Sequence, residues 1–328
     1  MDGSYLYQRS GRARYIYDRM ISSLGAHGIE AVSDFPCRSR LEMEQAEKAL
    51  KPRIYGNMPA VFLRKDGKFE IKLQITGGML TPEQVQRAGE VAARYGSEVH
   101  LTVRQELSIM GVPEEHLEKA LTELKEVGLA PGSAGMVFRN VVSCLGSTYC
   151  FKAAAETTGL AREIGRRFSG EKTPGPLKLG IGGCPFPCTR PQFNEIGLMG
   201  RVRPEIDLDR CTGCGKCVEV CKVGATKIID GKAVIDYDKC VRCGRCVAVC
   251  PEAAKHSAEN GFIVFVGGRG SWPPHEGWTL CDMVPREGVM PLIERILQVY
   301  REGAKPGMRM REFINSIGFE EFKRRVLG

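Results

Sequence analysis

From Phe69 the chain alternates in character. Phe69, Ile71, Leu73 and Ile75 are apolar and Glu70, Lys72 and Gln74 polar, the period of a half-buried strand. Thr81-Pro82-Glu83-Gln84 has the form of a capping box with proline in the first turn. The helix it predicts sets Val85, Ala88 and Ala92 on one face and stops near Gly96. Val99, Leu101 and Val103 alternate again, with Arg104 on the opposite face, and another strand is predicted to about Met110. Pro113 opens a second helix with Leu117, Ala120, Leu121 and Leu124 inward and Gly128 as its stop. A strand over 136–142 completes β-α-β-β-α-β, the ferredoxin-like split motif.

Beyond it the pattern changes. Residues 131–200 are rich in Gly, Pro and Cys, with a helix predicted over 153–168 and a strand over 177–181. Residues 201–256 form a compact cysteine-rich insert with an internal repeat, after which a strand at 262–266 and helices from about Val289 resume. Ahead of all this, residues 1–56 carry two weak helical stretches (13–24 and 40–50) and a lone Cys37, without recognisable chemistry. The fold class read from these patterns is α+β. Its expected parts are an N-terminal extension (1–56), a ferredoxin-like half domain (57–130), a central domain (131–200 and 257–328) and the insert (201–256).

Composition narrows the function. With 328 residues and 43% hydrophobic content the chain can bury a sizeable core. No run approaches the ~18 apolar residues of a membrane span, and the start, MDGSYLYQRSGRAR, has no apolar stretch of a secretory signal. The expected compartment is the cytoplasm, where 14 cysteines are unsuited to a disulfide scaffold and point to metal. The net charge of +8 is not gathered into a Lys/Arg block or interleaved with aromatics, so neither nucleic acid nor a membrane is an expected partner.

Eight cysteines fall into two matching C-x2-C-x2-C-x3-C runs: Cys211, Cys214, Cys217, Cys221 and Cys240, Cys243, Cys246, Cys250. Three closely spaced thiolates take three corners of a cubane cluster, and in two-cluster ferredoxins the fourth cysteine serves the other cluster. The expected sets are therefore Cys211, Cys214, Cys217 with Cys250, and Cys240, Cys243, Cys246 with Cys221. Structural zinc prefers paired knuckles and is the weaker reading. Cys144 and Cys150 (C-x5-C) and Cys184 and Cys188 (C-x3-C) form a third group. Its spacing alone permits a cluster, zinc or unligated thiols.

The run Arg-Asn-Val-Val-Ser-Cys-x5-Cys at 139–150 and Gly-Cys-Pro-x-x-Cys at 183–188 resembles the sirohaem–[4Fe-4S] signature of sulfite and nitrite reductases. Leu-Thr-x-Arg-Gln at 101–105, the ferredoxin insert and Gly-Gly-Arg at 267–269 extend the likeness from about Lys68 to the C-terminus. It is nearest the small ferredoxin-fused type. The resemblance implies that Cys144, Cys150, Cys184 and Cys188 hold a third [4Fe-4S], with Cys188 bridging to the sirohaem iron. It implies that Arg104, Arg139 and Lys178 contact the oxyanion, Lys178 alone able to give protons. Arg269 is a candidate contact for a sirohaem carboxylate. One departure is Pro176, where the family commonly has a second Lys.

The cofactors so implied are one sirohaem and three [4Fe-4S] clusters, whose negative charge the basic surplus would offset. Cys37 and Cys281 are then expected to be unligated, and Gly77-Gly78 and Gly182-Gly183 to be turns that admit close backbone approach. The implied reaction is sulfite to sulfide, with electrons relayed through the insert from an external ferredoxin or flavin-bearing subunit, because no dinucleotide fingerprint is present. A nitrite reductase and a non-catalytic electron-transfer subunit are the alternatives. In larger relatives the basic residues and the cysteines come from two related halves. The single half here implies a symmetric dimer with Arg104, Arg139 and Lys178 of one chain facing Cys188 of the next.

Overall fold

A computed structural model describes residues 53–55 and 58–328. Cys37 and the stretches at 13–24 and 40–50 lie outside the described residues. The first layer is an antiparallel sheet of β1 (Arg53–Tyr55), β2 (Met58–Leu63), β3 (Phe69–Leu73), β4 (Val99–Leu101) and β5 (Leu107–Val112) in the order β1-β2-β3-β5-β4. Helices Pro82–Tyr95 and Leu117–Glu126 cover one face, burying Ala88, Val91, Leu117, Ala120 and Leu124 on Ile71, Leu73 and Ile109. The predicted capping box is present in both directions, Gln84 N–H to Thr81 Oγ1 (3.2 Å) and Thr81 N–H to Gln84 Oε1 (3.1 Å).

Three expectations change. Val85 lies 54% exposed, since the buried stripe runs through Ala88, Val91 and Ala92. Leu101 and Val103 are 75% and 100% exposed: β4 is the sheet edge, and Val103 and Arg104 sit in a turn, not on a strand. The expected sixth strand is short. Of the expected 136–142, only Val142 lies in a named strand, β6 (Val142–Ser143), which joins a different sheet, while β3 pairs with β2 and meets the segment leading into that region only through a single bridge from Leu73 to Pro131. The side of the first sheet beyond β3 goes to β2 and then β1, which alternation did not flag.

The second sheet has the order β12-β11-β8-β7-β6. β6, β7 (Leu179–Gly182) and β8 (Ile196–Ile206) are parallel, whereas β11 (Lys255–Val266) and β12 (Trp278–Val284) add antiparallel. Helix Thr158–Phe168 begins later than expected because Glu156 caps it, accepting from Gly159 N–H at 2.6 Å. That helix and the three from Val289 to Leu327 enclose the main core, including Ile164, Phe168, Leu179, Ile181, Leu198, Val264, Ile296 and Phe313. β8 and β11 stay paired from Ile196–Val266 out to Ile206–Lys255, and the insert with its hairpin β9 (Thr226–Ile229) and β10 (Lys232–Ile235) stands on this ribbon. Among the described residues no helix is long and apolar enough to cross a membrane.

Gly197 on β8 packs against the backbone of Pro191, where an added Cβ would collide with the carbonyl oxygen. Backbone cannot yield as a side-chain tip does. Gly197→Ala is expected to lower stability by about 1–3 kcal/mol, seen as a lower denaturant midpoint in chemical unfolding.

Candidate functional site

The cysteine runs of the insert are arranged crosswise. Cys211, Cys214 and Cys217 line a small cavity together with Cys250. Cys240, Cys243 and Cys246 line a second, together with Cys221. In each run a one-turn helix (Lys216–Glu219 or Arg245–Ala248) carries the third cysteine and leads the fourth into the neighbouring cavity. Backbone N–H groups donate to the sulfurs: Ala233 to Cys211 (3.4 Å), Ala225 to Cys221 (3.2 Å), Arg242 to Cys240 (3.4 Å) and Lys255 to Cys250 (3.3 Å). Such donors favour thiolates. Burial instead pushes the Cys246 thiol up to about 11, so a metal held there would have to displace its proton. Among the described residues no three ligating side chains converge on one metal ion. The sulfurs surround cavities, which suits a polynuclear cluster better than a lone zinc.

The third group lies at the carboxyl ends of β6 and β7. Cys144 follows β6 directly, Cys150 follows the short helix Gly146–Tyr149, and Cys184 and Cys188 stand in the loop after β7. All four line one cleft of about 630 Å³. The loop is tied to β6 by Gly183 N–H donating to Cys144 Sγ (3.1 Å). Gly77 and Gly78, both at positive φ (66° and 69°), form part of the wall and bring backbone close to the space. Lys152, Lys222 and Arg245 also line the cleft; among the described residues none of them makes an ion pair and no carboxylate lines it. Four thiols and three unpaired cations around an acid-free cleft fit a sulfur-linked cluster beside a polycarboxylate macrocycle. Lys222 and Arg245 come from the insert, and Arg245 also lines the Cys240 cavity. Cys281 lines none of the cysteine cavities; it packs half-buried on the core, its thiol raised to about 11 by burial.

The basic residues are gathered at the other ends of the strands. Arg139 precedes β6, Lys178 precedes β7, and Asn194 and Glu195 precede β8. Arg104 reaches there from the turn after β4, donating to Asn194 Oδ1 (3.0 Å) and the Asn140 carbonyl (2.8 Å), with Nε buried and unpartnered. Thr102 Oγ1 shapes that turn by accepting from the N–H of Arg104 and Glu106. Gln105 clamps it to β6 through Ser143 in both directions, at 2.7 and 2.9 Å. Glu195, 3% exposed, is the common counter-charge. It accepts from Arg309 (2.9 Å) and from the Lys178 backbone N–H (3.1 Å). Burial lowers the Lys178 ammonium from its ordinary value; Glu195 opposes this, and Arg104, Arg139 and Arg309 add to it. Burial lowers Arg139 likewise, against Glu195.

The structure thus brings Arg104, Arg139 and Lys178 together but lines the cysteine cleft with none of them. Arg269 is also outside that cleft. Its guanidinium donates to Ser271 Oγ (3.0 Å) and the Trp272 carbonyl (2.9 Å), beside a pocket shared with Glu195, Arg309 and Arg311. As a contact for a macrocycle at Cys188 of its own chain, Arg269 is therefore misplaced. Sequence reasoning missed Glu195, Asn140, Gln105, Arg309, Lys152, Lys222 and Arg245. Asn140 and Gln105 stood inside motifs already singled out; the others carry no local signal.

Comparisons with known proteins identify the family. Residues 134–328 match the family model described as nitrite and sulphite reductase 4Fe-4S domain, and residues 62–127 that of the nitrite/sulfite reductase ferredoxin-like half domain. The chain is 34% identical over 266 residues to the coenzyme F420-dependent sulfite reductase of Methanocaldococcus jannaschii, covering 80% of this chain but 43% of that protein. It is 33% identical over 284 residues to a subunit of the anaerobic sulfite reductase of Salmonella typhimurium, covering 80% of this chain and 84% of that subunit. It therefore spans less than half the length of the first relative and most of the second. The crystal structure of dissimilatory sulfite reductase I superposes with a TM-score of 0.70 over 87% of this chain and 79% of that one, at 19% identity, a likeness of fold.

Lys178 is expected to lose its proton below the ordinary lysine value of 10.5. Glu195→Gln, which removes the opposing negative charge, is expected to move it lower still. Titration of isotopically methylated lysines by NMR checks both; an upward move in the Gln variant contradicts the assignment.

Proposed function

Because the chain belongs to the nitrite and sulphite reductase family, we propose that it reduces sulfite to sulfide on a sirohaem–[4Fe-4S] centre at Cys144, Cys150, Cys184 and Cys188. The observation that carries this reading is the acid-free cleft in which those four cysteines meet unpaired cations. Sulfite is preferred over nitrite because the relatives named as a sulfite reductase or a subunit of one are 34% and 33% identical over 80% of the chain, whereas the nitrite reductases matched over 81% and 84% of it are 23% and 22% identical. When bound, the centre supplies an iron for the substrate and the electrons that reduce it. Sulfite takes up six electrons and seven protons to give hydrosulfide and three waters.

The chain's own residues supply binding and protons. Arg139 and Arg104 offer guanidinium groups to the oxyanion. Lys178, its ammonium destabilised by burial among guanidiniums, is the one proton donor of the three. The insert takes electrons from an external ferredoxin or flavin-bearing subunit, and its Cys221/Cys240/Cys243/Cys246 set is the one that shares Arg245 with the cleft. A reducing cytoplasmic setting suits twelve thiols committed to three clusters.

The separation of basic residues and thiols supports a shared site. Neither end of β6–β7 is complete alone, so a second copy is proposed to present Arg104, Arg139 and Lys178, with Arg269 alongside, to the cleft at Cys188. Exposed Leu145 and Phe186 at the cleft provide apolar surface for such a partner.

In steady-state assays with a reduced viologen, kcat/KM for sulfite is expected to exceed that for nitrite, and Cys188→Ser to abolish turnover while the two insert clusters keep their EPR signals. A nitrite preference replaces the substrate; two insert clusters in a wild-type chain that takes up no sirohaem would leave the electron-transfer alternative. For the shared site, Arg139→Ala and Cys188→Ser homodimers are each expected to be inactive. Their co-expression should restore part of the activity through hybrids with one intact site. No rescue in purified hybrids, or a fully active dilute monomer, excludes the arrangement.

A further inference from the structure

Lys255 is 2% exposed, yet its ammonium makes no ion pair among the described residues. Its Nζ donates to one acceptor, Thr226 Oγ1 at 3.0 Å. A buried ammonium with a single neutral partner is unfavourable unless negative charge lies close by. Glu252 shares the adjoining cavity but is exposed and makes no ion pair. The cysteine cavities adjoin the residue on both sides. Lys255 lines the Cys211 cavity, and Thr226 lines the Cys240 cavity, so the Lys255–Thr226 bond lies in the wall between them. The Lys255 charge acts on Cys211 and Cys217 of one set and on Cys246 of the other.

The internal repeat explains the placement. Thr226 stands five residues after Cys221, and Lys255 five residues after Cys250. These equivalent positions of the two half-modules meet at their centre. The repeat is broken there by one charge: a hydroxyl on one side faces an ammonium on the other.

We propose that Lys255 is an internal counter-ion shared by the two clusters of the insert, raising the reduction potential of both. This rests on the reading of the insert as a two-cluster ferredoxin. Each cluster becomes more negative by one charge on accepting an electron. A fixed cation in the wall between them stabilises that form on either side, and burial protects it from the screening that weakens surface lysines.

The test is an EPR-monitored redox titration of the full chain carrying Lys255→Met, which is neutral and of similar length, and Lys255→Gln, which is neutral and able to keep the Thr226 hydrogen bond. Surface Lys239→Met is the control. Both insert clusters are expected to become harder to reduce by about tenfold, 59 mV for one electron, in each neutral variant, with Lys239→Met unchanged. Unshifted potentials in whichever neutral variant holds its clusters overturn the proposal, as does a shift in one cluster alone. A wild-type insert with fewer than two clusters overturns the ferredoxin reading instead, so the two failures are told apart.

Discussion

One buried carboxylate organises the basic half of the site. Glu195 is 3% exposed and lies among Arg104, Arg139, Lys178 and Arg309. Four cations that close would repel one another in a poorly screened environment. Glu195 anchors the group through Arg309 Nη2 at 2.9 Å and through the backbone of Lys178 at 3.1 Å, which also fixes where β7 begins. Glu106, also buried, adds a second negative charge beside Arg104 and Arg139, and two negative charges against four positive leave the cluster net positive. The oxyanion proposed to bind there would meet charge already assembled, with no reorganisation left to perform.

The parallel strands then decide what this assembled charge can face. β6 and β7 run side by side, so everything just before them is gathered at one end and everything just after them at the other. Arg139 and Cys144 are five residues apart in sequence and are consigned to opposite ends. In the proposed shared site, chemistry that needs both draws them from two copies of the fold.

Much of this was legible in the sequence, and the limits have physical causes. The grouping of the insert cysteines was legible because their spacing is a local property, and Cys250 does line the cavity of the first run and Cys221 that of the second; what they hold is part of the proposal. The helices of the half domain were readable from their caps and stripes. Leu101 and Val103 misled because alternation reports which residues share a face, not whether a second layer covers it. Arg104 was assigned to a strand for the same reason, though its turn is dictated by Thr102. Glu195 and Lys255 were invisible because a charge inside a mostly apolar stretch can as easily face water; burial at both sites is set by elements distant in sequence.

The ribbon of β8 and β11 has a consequence for how such a chain can change over time. Because Ile206 and Lys255 are paired across the ribbon, the insert leaves and re-enters the core at nearly one point. Topologically it is a hairpin loop that has been replaced by a module. Closing the ribbon with a short turn would preserve the pairing from Ile196–Val266 outward, so the core sheet imposes no requirement on what the tip carries. With the insert read as the entry point for electrons, that entry is a detachable part of the architecture: lineages can gain, lose or exchange it without altering the register of a single strand in the core.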